Sequence, residues 1–413
     1  MKRIKRLLII PFMMVSLITF SSCSFITDFL NSVQSEAEKS KEETTKKEEP
    51  TKTDDTTPTT STSTDESEST GDTSSTTTTE DLTPVVIDEL DYGYADLENL
   101  SLNYENLQKF YKDVKHELSN FYASTKTLEL EKVTFRDKET NQTYDEYYYF
   151  IGDVSFLDYK MTENEALAVV KEVLLDYPEY YFVANEALTS YSSSNGIDTK
   201  KSIRLVCDSD FYKGNDRVAY NQKIEEFSTA VSTLIESRAL ELERELTNKE
   251  KVRLIHDYIT SHAQYAYKED GKTPDDSSLS HCMLGIIDNG KGVCESYTEL
   301  FTYLLKKNNI PAITVAGKGY TSASATGENH AWNYVNIDGY WYGFDVTWDD
   351  TTNTNDYYGN SESKFKNIHV DQYGNKYIKD SSRGAHEPNK SDIGDRLNYL
   401  YPIPQLSGID LTE

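Results

Sequence analysis

The chain reads as an α+β fold, in which amphipathic helical stretches are interleaved with short aromatic-rich strands. Three observations predict it. Two strand-like runs, 330–337 and 340–347, are separated only by Asp338-Gly339, a dipeptide suited to a two-residue hairpin turn. Upstream, Tyr297, Leu300, Phe301, Leu304 and Leu305 fall on one helical stripe that opens at Gly292-Val293-Cys294. Two capping-box patterns, Thr162-Glu163-Asn164-Glu165 and Thr247-Asn248-Lys249-Glu250, each precede an apolar-rich run and mark helix starts.

The N-terminus has a different character. Lys2, Arg3, Lys5 and Arg6 precede an apolar run from Leu7 to Phe20, then Ser21-Ser22-Cys23, which is the layout of an export signal. The apolar run is shorter than the roughly 20 residues a spanning helix requires, which argues against an uncleaved anchor. The segment also resembles a bacterial lipoprotein signal, with cleavage before Cys23 and a lipid on its thiol, although Phe20 stands where an aliphatic residue is usual. Residues 1–22 are therefore expected to be a signal peptide. Residues 23–84 are rich in Ser, Thr, Glu, Lys and Asp and cannot bury enough apolar surface to offset chain ordering, so they read as a disordered tether. As a flexible coil of about sixty residues it would span roughly 40–45 Å.

Folded sequence is expected from about Val85, with an N-terminal α+β region over 85–240 packed on a second domain over 241–413. Leu107, Phe110, Tyr111, Val114 and Leu118 have helical spacing, as do Tyr220, Ile224, Phe227, Val231, Leu234 and Ile235. Tyr147 to Phe156 and Ser202 to Cys207 read as strands. The second capping box starts the helix that contains Lys251 to Ile259.

The hairpin can be indexed. A two-residue turn at Asp338-Gly339 pairs Ile337 with Tyr340 and, counting back, sets Trp332 opposite Asp345. His330, Trp332 and Asp345 then project to one side, with His330 and Asp345 diagonal neighbours at roughly 7–8 Å between backbone positions. An imidazole and a carboxylate can meet across that gap. Cys294, at a predicted helix N-terminus, gains thiolate character from unpaired N–H groups and the helix dipole. A thiolate, a histidine and an orienting acid make a nucleophilic set.

The stretch from about Lys251 to Asp350 resembles the transglutaminase-like superfamily. The strings that carry the resemblance are Gly-Lys-Gly-Val-Cys-Glu-Ser-Tyr at 290–297, Asn-His-Ala-Trp-Asn at 329–333 and Trp-Tyr-Gly-Phe-Asp-Val-Thr-Trp-Asp-Asp at 341–350. Three ordered strings are a strong signal where each alone would be weak. The resemblance implies a papain-like core, a helix-borne cysteine packed on an antiparallel sheet, with Cys294, His330 and Asp345 as its catalytic set. It does not fix the reaction, because the superfamily holds cross-linkers, peptidases, amidases and members without a known substrate. Thiol-dependent acyl transfer or hydrolysis at an amide of an envelope protein, peptide or peptidoglycan peptide is the expected activity. A non-catalytic binding or scaffolding module in the cell envelope is the alternative.

Composition narrows the partners. With 70 acidic against 42 basic residues the formal charge is −28, which disfavours nucleic acid and leaves the lipid on Cys23 as the route to the bacterial cell membrane. No Cys or His spacing suggests zinc, and no cofactor is expected. Asp349, Asp350 and Asp356 lack the spacing of a calcium loop and read as a solvated acidic loop. Beyond Cys23, the cysteines are Cys207, Cys282 and Cys294. Cys207 reads as a core residue, a Cys207–Cys282 disulfide stays open, and His281-Cys282 is a rival catalytic pair without the glycine-led helix start. His256 is expected to be a buried structural histidine, while His369 and His386 fall in a polar tail that ends in the packing segment 399–404. Tyr297, Trp332 and Trp341 are expected to wall the substrate cleft. The remaining tyrosines, dense at 147–149 and 180–181, read as packing residues rather than a carbohydrate platform.

Overall fold

The computed structural model describes residues 88–100, 103–137, 140–194, 197–321, 327–373, 375–389 and 403–411. The signal peptide, Cys23 and the tether expected over 1–84 lie outside the described residues, as does most of the segment 399–404. Among the described residues no helix is long and apolar enough to cross a membrane.

The first helices are α1 (Tyr92–Leu100) and α2 (Tyr104–Ala123), the latter burying the predicted stripe Leu107, Phe110, Tyr111, Val114 and Leu118. Strands β1 (Leu130–Arg136) and β2 (Thr143–Ser155) follow, then α3 (Glu163–Asp176), β3 (Val183–Ser194) and β4 (Ile197–Cys207). These strands form an antiparallel sheet in the order β1-β2-β4-β3. At the start of α3 the capping box closes as its sequence requires: Thr162 Oγ1 accepts the Glu165 N–H at 3.2 Å, and Glu165 accepts the Thr162 N–H at 2.7 Å. Tyr180 and Tyr181 are buried in the core, whereas Tyr147 is 59% exposed on β2.

The long helix α4 (Gly214–Leu242) leads to α5 (Asn248–His262), whose capping box at Thr247 and Glu250 also forms. The short strand β5 (Gln264–Tyr265), helix α6 (Leu284–Asn289) and strand β6 (Lys291–Gly292) precede α7 (Cys294–Lys307). Then come β7 (Ala312–Tyr320), β8 (Glu328–Ile337), β9 (Tyr340–Phe344), α8 (Val346–Thr352), α9 (Glu362–Lys366), β10 (Ile368–Val370), β11 (Lys376–Ile378) and β12 (Ala385–Pro388). The second sheet is antiparallel in the order β12-β7-β8-β9.

The β8–β9 hairpin has the indexed register, Ile337 facing Tyr340 and Asn333 facing Phe344. Asp338 and Gly339 both have positive φ, 54° and 90°, the double left-handed turn that matches strand twist. The second strand is shorter than its sequence suggested: β9 stops at Phe344, and the run through Thr347 turns into α8. Asp345 caused the change, since its side chain caps that helix by accepting the Trp348 N–H at 2.9 Å.

One apolar core runs through both halves of the described chain, from Leu97 on α1 to Val346 on α8. A buried polar anchor accompanies it. Lys306, near the end of α7, reaches Asp91 at 3.0 Å and the Asp176 carbonyl, fixing the cysteine-bearing helix to the N-terminal region. Cys207 and Cys282 are both buried free thiols, so no disulfide joins them.

Candidate active site

Cys294 is the first residue of α7, with Val293 at the cap position. N–H groups in the first helical turn have no partner within the helix, so this is where an electron-rich sulfur is stabilised. Helix α7 is set on the sheet by buried Asn333, whose amide donates to the Thr298 carbonyl at 3.1 Å and to Thr302 Oγ1 at 2.8 Å. Consequently Cys294 packs on Ala331, the residue next to His330 on β8.

His330 and Asp345 meet directly. His330 Nε2 lies 2.7 Å from Asp345 Oδ2, and both residues are buried. Burial opposes charge on Asp345, but His330 and then His386 hold its carboxyl well below the usual carboxylate range. With Nε2 committed to Asp345, Nδ1 is the nitrogen left for a thiol. The His330 ring stacks on Trp348 at 4.8 Å with 16° between the planes. Gly319 on β7 makes room for this pair, since a Cβ there would sit 2.9 Å from the Trp348 ring and 3.1 Å from His330.

The structure buries two of the three expected cleft residues, Trp332 and Tyr297, and leaves Trp341 partly exposed. Trp332 is fully buried behind His330, edge-on to His386 and Phe365. Tyr297 is also fully buried, its hydroxyl donating to Asp350 at 2.6 Å. Trp341 meets Tyr92 of α1 edge-on at 5.8 Å. All three were expected as cleft walls because aromatic residues beside a catalytic string suit either role, and only burial separates the two. The ring against His330 that sequence reasoning missed is Trp348, three residues after the Asp345 cap.

Other expectations resolve similarly. Asp349 and Asp350 do not form a solvated acidic loop: Asp349 is buried, 3.2 Å from His256 Nε2 and accepting the Tyr357 N–H, while Asp350 takes the Tyr297 hydroxyl. His256 is the buried structural histidine the sequence suggested, its other nitrogen 3.0 Å from Asp257. The rival pair separates, because His281 bonds Glu295 through Nδ1 and burial pushes the Cys282 thiol well above its usual range.

His386 is the largest departure. The polar tail carries it back as β12 along the edge of the sheet, where it is fully buried with its ring stacked on Phe365 at 4.0 Å. Its Nε2 lies 2.8 Å from Asp345 Oδ2, the same oxygen that His330 uses. Ala385-His386-Glu387-Pro388 gives little warning of this, being a four-residue strand whose partner is 65 residues or more away in sequence.

Residues 236–346 match the model of the transglutaminase-like superfamily. They form a transglutaminase-like domain. The match ends one residue past Asp345, so it takes in Cys294, His330 and Asp345 and leaves out His386. The human kyphoscoliosis peptidase is 33% identical over 126 residues, which is 29% of this chain and 19% of that protein. The matched stretch therefore spans about a fifth of that relative's length. Among solved structures, a TGase crystal structure matches at 20% identity and a TM-score of 0.25, over 38% of this chain and 43% of that one. The periplasmic domain of TgpA from Pseudomonas aeruginosa matches at 15% identity and a TM-score of 0.23, over 38% and 57%. A helix-borne cysteine on an antiparallel sheet, the papain-like α+β core, is the fold of this transglutaminase-like domain.

Proposed function

We propose that the transglutaminase-like domain is a thiol-dependent enzyme acting at amide carbonyls of envelope proteins or peptides, carried on an exported, lipid-anchored bacterial protein. The observation that carries this reading is the His330–Asp345 contact of 2.7 Å beside a cysteine at the first residue of α7. Reduced Cys294 gives its proton to His330 Nδ1 and attacks the amide carbonyl. The tetrahedral oxyanion faces N–H groups at the α7 terminus. Collapse breaks the C–N bond, the imidazolium returns its proton to the leaving amine, and a thioester remains on Cys294. A second nucleophile, water or a primary amine, loses its proton to His330, attacks the thioester and releases the thiolate. Asp345 keeps the His330 proton on Nε2 throughout.

Water and amine give different products. Incubating the reduced full-length protein with envelope peptides and an excess of isotope-labelled primary amine, followed by mass spectrometry, separates them. Products without label are expected in excess of labelled ones, since an aqueous envelope presents far more water than amine. Label incorporation that disappears in Cys294→Ala identifies transfer. Products identical in wild type and Cys294→Ala would leave the scaffolding module.

Anchoring is supported by the basic, apolar and Ser-Ser-Cys sequence at residues 2–23. Cys23→Ser is expected to move the protein out of the membrane fraction or to stall its processing. Unchanged partitioning together with an unchanged N-terminal mass would sink the lipid anchor.

A further inference from the structure

Two imidazoles converge on one carboxylate oxygen. Asp345 Oδ2 receives His330 Nε2 at 2.7 Å and His386 Nε2 at 2.8 Å, while Oδ1 takes the Trp348 N–H at 2.9 Å. Asp345 has no exposed side-chain surface, so protein groups alone supply the solvation its charge requires. His330, Asp345 and His386 offer three ligand atoms within 4.8 Å of one another. The spacing is nevertheless that of direct hydrogen bonds. A tetrahedral metal about 2.0–2.1 Å from each ligand atom would part them by roughly 3.3 Å.

His386 has its own constraints. Nδ1 faces the Phe365 carbonyl at 3.2 Å, and Nε2 faces the carboxylate. Burial holds its pKa below the ordinary histidine value, against the pull of Asp345, so the ring carries one proton at neutral pH. The carboxylate is the stronger acceptor and fixes that proton on Nε2. The ionisable groups packed around the ring are Asp345, His330 on β8 and Tyr357, whose hydroxyl is occupied by the Gly384 N–H. Phe365 on α9, Trp332 on β8 and Trp348 on α8 supply the rest of its surroundings. His386 is fully buried, and its contact with Asp345 at 2.8 Å is shorter than that with the Phe365 carbonyl at 3.2 Å.

We propose that His386 is a positioning residue for the transglutaminase-like site, acting through Asp345 as the second imidazole donor that keeps the carboxylate ionised and its Oδ2 aimed at His330. The role rests on the catalytic reading of Cys294 and deepens it. It makes the working unit a four-residue set whose fourth member lies outside the matched family segment and arrives from the sheet edge. Without His386, the buried carboxylate loses a charge-assisted hydrogen bond, holds its charge less well, and supports the His330 imidazolium less. The Cys294 thiolate then forms only at higher pH.

The test is the rate of Cys294 alkylation by iodoacetamide, followed by mass spectrometry on the reduced full-length protein. His386→Phe preserves a planar ring for the Phe365 stack and removes the donor. Its labelling rate is expected to be about tenfold below wild type at pH 6.5, in line with loss of one charge-assisted hydrogen bond, and equal to wild type at pH 10, where the thiolate forms unaided. His386→Gln, whose amide N–H reaches toward the same oxygen, should recover most of the pH 6.5 rate. Equal rates at pH 6.5, or the same deficit at both pH values, would overturn the proposal. Wild-type labelling no faster than free cysteine at pH 6.5 would instead overturn the catalytic reading, and this role with it. Nitrogen NMR of the histidine rings in wild type decides the matter even if the variants do not fold: His386 must show a neutral ring protonated at Nε2, and a proton on Nδ1 alone would overturn the assignment.

Discussion

Replacing Cys294 with alanine is expected to lower amide turnover by roughly 10⁴- to 10⁶-fold, the scale of nucleophile deletions in enzymes with a comparable hydrolytic triad. The size follows from what remains. Burial pushes the Cys207 thiol up to about 12 and the Cys282 thiol well above its usual range, so neither supplies a thiolate at neutral pH. Cys282 also lies next to a histidine whose Nδ1 is already bonded to Glu295. Among the described cysteines, only Cys294 combines the first position of a helix with contact to the strand that carries His330. The companion measurement is thiol alkylation after reduction, read by peptide mass. One fast label at Cys294 is expected, with half-reaction below the pKa of roughly 8.5 of a free cysteine. Equally fast labelling of Cys282 would move the nucleophile and sink the assignment.

The elements that sequence made legible are those whose signals are local. Both capping boxes formed because Thr and Glu three residues apart satisfy each other's backbone whatever surrounds them. The hairpin register followed from Asp338-Gly339, since a turn with two positive-φ residues leaves no freedom in pairing. From that register came the His330–Asp345 contact. What stayed hidden is set by long-range packing. β7, between β8 and β12, drew no strand signal, and the run through Thr347 looked extended because a capping aspartate at the end of a strand is not visible in aromatic alternation. Tyr297 and Trp332 could line a cleft or fill a core with identical chemistry, and neighbouring elements decided for the core. His386 depended most on tertiary structure, because a four-residue strand in a polar segment had to close the sheet before its ring could reach Asp345.

Asp345→Asn is expected to reduce turnover by roughly 10³- to 10⁴-fold, the range seen when the orienting acid of a triad becomes an amide. The geometry explains why an isosteric change costs so much. Oδ2 faces two imidazole nitrogens and Oδ1 faces the Trp348 N–H, so all three partners donate. An asparagine NH2 group must meet donors in either flip. If it faces the histidines, His330 turns Nε2 into an acceptor, carries its proton on Nδ1 and can no longer take one from the thiol. If it faces Trp348, the α8 cap is lost. Stability should fall as well, by about 3 kcal/mol at pH 7, the scale of breaking a buried pair from one side. The pH dependence has a definite sign. The folded-state pKa of Asp345 is depressed, with burial outweighed by His330 and His386, so its contribution is fully present above the unfolded value of about 3.9 and is lost as pH falls through the folded one. Urea denaturation of both proteins at a series of pH values from 7 downward should therefore show the gap between wild type and Asp345→Asn held near neutrality and closing only in acid. A gap that is the same at every pH would mean that Asp345 is not the buried anion on which His330 and His386 converge.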